Sequence, residues 1–580
     1  MSSAILKSPW RLFISGCLTI LAGSLLAYLV QTSGDITIKD VRFTGNNGQT
    51  LSALLYIPPN ASARTPAPGV LAVHGYINSR EVQAPFAIEL ARRGYVVLAL
   101  DQSGHGYSDG PAFSNGFGGP AALRYLRSLD LVDKDNIGME GHSMGGWTVL
   151  AAAAAMPDAY KSIVLQGSST GSGMAGPGTP DWPRNVAVVF AQFDEFAPLM
   201  WEVPKGSQVA DSNKLKALFD TEATVDIGRV YGSIADGNAR VLFNPPVTHP
   251  GNHISHTAVQ HTIDWFAQTL GHDPIEGPSS RNLEGQIWFL KEVGTLVAFV
   301  GFIMLMLGSM RGLLTLPVFA PLAQTPVSVA WQARGKRWWV VAVISAIIPV
   351  ATFYPFMGFG AGLISASSLL PQGISNQVMF WAIANAVLLT GLGLVVKADK
   401  VSFSVISWQS KGVLALLFAL STVLIAYSSL LLADYFFKVD FRFWFVGLKL
   451  LSVDQFQAML VYLIPFTLFF MLSLRALHGG LSVAGDSRRY QYVSNAMVMA
   501  GGFIVFLLAQ YGSLFLGGQL LTPAQPLNTI VMIQFAPLLL MVSVISTCAW
   551  RHTGSYVPGA LINGMWVSWY IVAGQASQAV

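Results

Sequence analysis

The stretch Gly141-His142-Ser143-Met144-Gly145-Gly146 is the part of this sequence best equipped for chemistry. Residues 136–141 read as a buried strand and residues 144–156 as a helix, so Ser143 stands at a strand-to-helix turn. The small residues Gly141 and Gly145 let strand and helix approach closely, and a strained turn of that kind presents the serine hydroxyl at its tip. Gly-x-Ser-x-Gly alone occurs often by chance; the strand–turn–helix setting makes it specific. A serine hydroxyl is a poor nucleophile until a neighbouring base removes its proton. Candidates for the base and its partner lie further along the chain. Phe193-Asp194-Glu195 follows the strand-like run 186–191. His249, His253 and His256 crowd the stretch between the strand-like run 239–243 and a helical run at 255–270. These residue types together support nucleophilic acyl transfer.

The elements that must position them alternate along the chain. Residues 36–44 and 51–57 alternate in polarity around Asn46-Asn47-Gly48, a hairpin signal. A short apolar run at 69–74 ends in His74-Gly75. Residues 81–93 have helical spacing and stop at Gly94, a helix C-cap signal. The run 95–100 leads to Asp101, and 162–167 is a further strand. Strands alternating with helices predict a mostly parallel, doubly wound sheet, with its site beyond the carboxyl ends of the strands.

On His74-Gly75, the DQSGHGYS stretch 101–108, GHSMGG at 141–146, Phe193-Asp194-Glu195 and the histidine-bearing terminal loop, residues 36–270 resemble the α/β-hydrolase superfamily. The opening hairpin and the short connection after strand 162–167 are similar to its esterase and peptidase-like branches. The resemblance implies that Ser143 is the nucleophile in an elbow flanked by Gly141 and Gly145. The backbone N–H groups of Tyr76 and Met144 would form the oxyanion hole. It implies an acid at Asp194, with Glu195 as the alternative, and a base at His249, with His253 next and His256 third. His74 is expected to be structural, and Asp101 and His105 to shape the floor of the site. His142 and His261 are expected in packing or at the surface, and residues 167–178 as a mobile rim. The match is to a superfamily, so the substrate (a small molecule, a lipid or a peptide) does not follow from it. A catalytically silent hydrolase-fold module for binding or signalling is the other reading, because fold alone does not impose activity. No cofactor is expected. The His249/His253 spacing lacks a third ligand, and there is no Gly-x-x-x-x-Gly-Lys loop, so neither a metal site nor a phosphate cradle is expected.

Across 580 residues, 52% are hydrophobic and 11% charged, against roughly a quarter charged in soluble domains. The deficit is local: residues 35–282 have a soluble composition and the remainder is mostly apolar. A net charge of +4 without a basic block gives no sign of a nucleic-acid partner. The two cysteines, Cys17 and Cys548, both lie in apolar runs, which leaves no disulfide or cysteine metal site in the soluble part. The chain therefore divides into an N-terminal membrane anchor (1–34), a hydrolase-like domain (35–275), a linker (276–292) and a membrane domain (293–580). That last part holds about eight helices of bilayer-spanning length, near 293–310, 339–357, 378–396, 413–432, 458–474, 496–515, 529–550 and 556–574. With a cytoplasmic N-terminus, the Lys/Arg-bearing loops 311–338, 397–412 and 475–495 all fall inside. Loop 433–457 is the exception. This alternation implies a multi-pass protein, in a bacterial cell membrane, with the soluble domain outside the cytoplasm. The bundle would serve as an anchor or as a surface that presents a membrane-bound substrate.

Overall fold

The computed structural model describes residues 9–270, 285–326, 330–395 and 408–579. Lys7, most of the linker and most of loop 397–412 lie outside them. The chain forms two compact units. One comprises Leu26–Val293 together with Gln510–Pro526 and Gly574–Val580; the other comprises Met1–Leu25, Gly294–Ala509 and Leu527–Ala573. The two short C-terminal segments in the first unit fall within the stretch that the sequence assigns to the membrane domain.

The first unit is built on a nine-stranded sheet. Its strands are β1 (Thr37–Thr44), β2 (Thr50–Ile57), β3 (Ala67–Val73), β4 (Val96–Asp101), β5 (Val132–His142), β6 (Ser162–Gln166), β7 (Val186–Val189), β8 (Val230–Tyr231) and β9 (Arg240–Phe243). The spatial order is β1-β2-β4-β3-β5-β6-β7-β9-β8. The expected opening hairpin is β1–β2, turned at Asn47 with φ 57°. From β4 through β9 neighbouring strands run parallel, and β8 closes the edge antiparallel. This is the mostly parallel sheet expected from the alternating pattern. β3, β4, β6, β7, residues 137–142 of β5 and most of β9 are buried, as strands covered on both faces must be. Two apolar clusters sandwich them. One contains Leu71, Leu98, Met139 and Leu165 under helix Met144–Ala155; the other contains Val70, Val97, Val164 and Val189 under helices Ala84–Arg92 and His256–Leu270.

Register fixes where the chain can do chemistry. Val73 pairs with Gly141, His142 with Gln166, Gln166 with Val189, and Val189 with Phe243. The residues that leave β3, β5, β6, β7 and β9 therefore emerge along one edge of the sheet. The helix expected at 81–93 begins instead with a 3-10 turn, Arg80–Gln83, and becomes α-helical at Ala84–Arg92; Gly94 ends it with φ 91°.

Seven helices in the described residues are long and apolar enough to cross a membrane: Arg11–Gln31, Trp288–Leu313, Gly373–Gly391, Lys411–Phe437, Val453–Gly479, Arg488–Gly517 and Pro526–Thr553. An eighth candidate is a pair, Lys336–Ala351 and Phe353–Leu363, bent by 44°. Pro349 lies inside the first half and Pro355 early in the second, and proline removes a helical hydrogen bond and pushes away the carbonyl four residues before it. The expected last span is a helix, Val557–Gly574, but it is not among the apolar ones. Its Pro558, Gly559, Asn563, Gly564 and Ser568 dilute the hydropathy, and nearly all of its residues are buried. Within the second unit, helix Arg11–Gln31 meets Trp288–Leu313 through glycines. A Cβ on Gly16 would lie 2.5 Å from Leu305 N, and one on Gly301 2.7 Å from Ile20 N. Small residues at such contacts let two apolar backbones approach closely.

Candidate active site

β5 ends at His142, and the helix Met144–Ala155 begins one residue later. Ser143 bridges them at φ 54°, ψ −121°. A non-glycine residue held there costs on the order of 1–3 kcal/mol, which the surrounding packing must impose. The glycines explain how. A Cβ on Gly141 would lie 2.2 Å from Gly145 O, and a Cβ on Gly145 would lie 2.2 Å from Val73 O. Only glycine lets the helix start so close to β3 and β5. Ser143 N donates to Gln166 O at 2.8 Å, and Gly146 N donates back to Ser143 O at 2.9 Å. His142 and Met144 are buried, while Ser143 keeps partial exposure.

The acid side is built by β7 and β9, whose pairing continues past the regular strands. Gln192 N donates to Pro245 O at 2.9 Å, Phe193 N donates to Val247 O at 3.1 Å, and Phe193 bridges to Thr248. That register carries Asp194 alongside His249. The His249 ring lies with Nδ1 2.9 Å from Asp194 Oδ2 and 3.1 Å from Oδ1, both residues being buried. Nδ1–H is then the donor, which leaves Nε2 with the lone pair a base needs. Burial presses the His249 pKa downward, but the Asp194 charge, its hydrogen bond and the Glu195 charge outweigh that, so the net shift is upward. Asp194 Oδ1 also accepts Phe196 N–H at 2.8 Å, which fixes the carboxylate.

The structure brings Asp194 and His249 together and sets Ser143 across the end of β6 from them. Gln166 O holds Ser143 N, and a Cβ on the next residue, Gly167, would lie 3.0 Å from His249 Nδ1. His142 Nε2 donates to His249 O at 2.9 Å, which fixes the tautomer, because a carbonyl can only accept. No hydrogen bond of Ser143 Oγ is found among the described residues, and its adjacency to His249 runs through Gln166 and Gly167. His253 is buried and lies 3.8 Å, centroid to centroid, from the His142 ring. His256 opens the closing helix and packs on Trp288, and His261 stacks on Phe243. Burial, then the neighbouring histidines, hold His142 far below the usual imidazole pKa, so it is a neutral spacer between His249 and His253.

The His74-Gly75-Tyr76 loop leaves β3 directly against the elbow. A Cβ on Gly75 would lie 3.0 Å from His142 Nδ1 and 3.2 Å from Ser143 Cβ. No loop hydrogen bond to backbone from the Tyr76 or Met144 N–H is found among the described residues. His74 is buried: Nε2 accepts Gln102 N–H at 3.2 Å, and Nδ1 donates to Gly75 O at 2.7 Å. Asp101 is a scaffold for the DQSGHGYS loop, accepting from Arg80 N at 2.9 Å and Tyr107 N at 3.1 Å. Residues 167–178, expected as a mobile rim, form a turn closed by Gly171 N to Gly176 O at 2.7 Å, with Ser168, Ser169 and Thr170 buried. No group of three or more His, Cys, Asp or Glu side chains among the described residues is arranged to hold a metal.

Two features escape a reading of the sequence. Glu195 is buried and accepts His249 N–H on Oε2 at 2.8 Å. Residues far along the chain also reach this unit: Ser577 pairs with Gly104 and Ala112, and Gln578 Nε2 donates to the Tyr76 hydroxyl at 2.9 Å. The Phe193-Asp194-Glu195 motif marks Glu195 only as an alternative acid, and no local motif marks the C-terminal contacts.

Comparison with known proteins agrees with this architecture. Residues 68–246 match the family described as the alpha/beta hydrolase fold. The quorum-quenching protein AidA of Acinetobacter baumannii (strain MDR-ZJ06) is 34% identical over 122 residues, which are 20% of this chain and 39% of that protein. The match thus spans about two-fifths of that relative's length. Among solved structures, the esterase Pf2001 of Pyrococcus furiosus is 17% identical, covering 41% of this chain and 91% of its own, with a TM-score of 0.28. The alpha/beta hydrolase GrgF of Penicillium sp. sh18 is 14% identical, covering 40% and 99%, with a TM-score of 0.30. On the family match, residues 68–246 have the α/β-hydrolase fold, in a chain that also carries several long apolar helices.

Proposed function

We propose that this protein is a membrane-embedded serine hydrolase that cleaves a carboxylic ester, or a related thioester or peptide bond, through an acyl-enzyme. The observation that carries the reading is the buried Asp194–His249 pair at the same sheet edge as the strained Ser143. In this mechanism His249 Nε2 takes the Ser143 hydroxyl proton as Oγ attacks the substrate carbonyl carbon. The carbonyl oxygen becomes an oxyanion facing the N–H groups of Tyr76 and Met144, and Asp194 stabilises the imidazolium. Collapse expels the alcohol, thiol or amine, which takes the proton from His249 and leaves the acyl group on Ser143. Water then repeats the sequence: His249 accepts its proton, the hydroxide oxygen attacks the acyl carbon, and Ser143 leaves reprotonated.

The long apolar helices and the Lys/Arg pattern support a multi-pass protein with a cytoplasmic N-terminus and the hydrolase unit outside. Its substrates would be small molecules, lipids or peptides. The role in the name of the Acinetobacter relative makes quorum-sensing signal molecules worth including in a substrate panel. The test is labelling by a fluorophosphonate probe. Wild-type protein should be modified at Ser143, and Ser143→Ala should be neither labelled nor active, with unchanged folding. Equal turnover by the alanine variant would sink the mechanism, and an unlabelled wild type would favour a silent binding module.

A further inference from the structure

Glu195 follows the acid directly and is almost wholly buried. Its two oxygens are held from different parts of the chain. Oε2 accepts the His249 N–H at 2.8 Å, and Oε1 accepts the hydroxyl of Tyr511, 316 positions away, at 2.9 Å. Tyr511 lies in Gln510–Pro526, which belongs to the same compact unit. Further contacts seat this segment along the turn that follows Asp194. Phe515 meets Phe193 edge-on at 5.2 Å, and Gln519 Nε2 donates to Pro204 O at 2.9 Å.

The charges around this carboxyl oppose one another. It faces Asp194 on its own turn, His249 on the loop after β9, and Tyr511. The imidazole of His249 lies against Asp194 and His142, with His253 beyond His142, and the Glu195 charge acts on it from the carboxylate that holds the His249 backbone N–H. Burial, then repulsion from Asp194, raise Glu195, while His249 lowers it; the balance leaves it at about 7. Donation from an N–H and a hydroxyl favours the ionised form. Its charge is therefore adjustable in the pH range where His249 must act.

We propose that Glu195 is a positioning residue for the base. It ties the His249 backbone to the turn that carries Asp194, adds a second negative charge near the imidazole, and is itself held by Tyr511. The proposal rests on the serine-hydrolase reading above. Tyr511 thus reaches the base through one carboxylate, from a segment that no motif of the hydrolase domain includes.

The experiment uses the full-length protein in detergent and compares wild type, Glu195→Gln, Tyr511→Phe and the double variant. The readouts are the pH profiles of fluorophosphonate labelling at Ser143 and of kcat/KM on a p-nitrophenyl ester, with thermal stability measured alongside. Glu195→Gln keeps an oxygen for the His249 N–H but removes the charge. The acid limb should move to lower pH by about half a unit or more, with kcat reduced, because imidazolium is less stabilised. Tyr511→Phe should shift the limb the same way by less, since Glu195 loses a donor to its ionised form. It should add no shift in the Glu195→Gln background, because the hydroxyl acts through the carboxylate. A lower melting temperature with an unmoved limb in both single variants would overturn the inference, as would additive shifts in the double variant. A wild type that is not labelled at Ser143 at any pH would overturn the hydrolase reading and this inference together. Normal labelling with an unmoved limb would overturn this inference alone.

Discussion

Asp194→Asn isolates the part of the site that the geometry describes best. The carboxylate accepts His249 Nδ1–H through both oxygens, at 2.9 and 3.1 Å, in a buried setting. Neutral imidazole gains little from that charge, whereas imidazolium gains a Coulomb attraction. At 2.9 Å and an effective dielectric constant of about 20, the attraction is about 6 kcal/mol. The transition state for attack by Ser143 carries the imidazolium and the free enzyme does not. Nearly all of that energy is therefore differential, equivalent to about four powers of ten in kcat. Asparagine is isosteric, but it offers an N–H₂ group that favours the wrong histidine tautomer, which acts in the same direction. With the anion gone, burial dominates the His249 pKa, so the acid limb of kcat/KM should also move to lower pH. The assay is ester hydrolysis by full-length protein, with circular dichroism to confirm folding. Retention of activity within tenfold, or a larger loss from Glu195→Gln than from Asp194→Asn, would refute the assignment of Asp194 as the orienting acid.

Three other substitutions probe separate statements. His249→Ala should remove about 10⁴–10⁶ of the rate, whereas His253→Ala, whose ring packs on His142, should keep activity within tenfold; the reverse ranking in steady-state assays would move the base to His253. Glu140 is buried on β5, with Gln83 Nε2 donating to it at 2.9 Å, and burial raises its pKa well above the usual carboxyl range. Its folded pKa is raised, so stability falls as pH rises from the unfolded value toward the folded one. Glu140→Gln, which keeps the acceptor, should therefore raise the melting temperature, with a gain that grows with pH above about 4.5; a gain that shrinks would contradict this sign. Cysteine at exposed Ala63, in a background without Cys17 and Cys548, should react with an impermeant thiol reagent in intact cells; protection until lysis would reverse the orientation.

What could be read from the sequence follows the range over which each interaction acts. Ser143 was legible because strand, glycines and helix lie within a dozen positions and the turn is imposed locally. The β1–β2 hairpin and the Gly94 helix stop were legible for the same reason. Asp194 and His249 were reachable by chain order after late strands, a fold-level regularity, and their contact depends on pairing past the ends of β7 and β9. Glu195 read as a rival to Asp194; which of two adjacent carboxylates turns toward Nδ1 and which toward the backbone is decided by tertiary packing. Tyr511 and Gln578 lie hundreds of residues from their partners, and no periodicity connects them. The last helix was legible as a helix, but its mixed Gly, Asn and Ser content left its environment undetermined by hydropathy.

The glycine contacts between Arg11–Gln31 and Trp288–Leu313 carry a topological consequence. These helices flank the hydrolase sequence, so their junction makes the chain between them a closed ring. Closing a ring of roughly 250 residues costs only a few kcal/mol of chain entropy, since the cost grows with the logarithm of length, and the helix contact holds it shut. A single proteolytic nick anywhere on the ring then yields two pieces, each still held by its own helix. Separation of the domain from both helices requires two cuts, one on each arm.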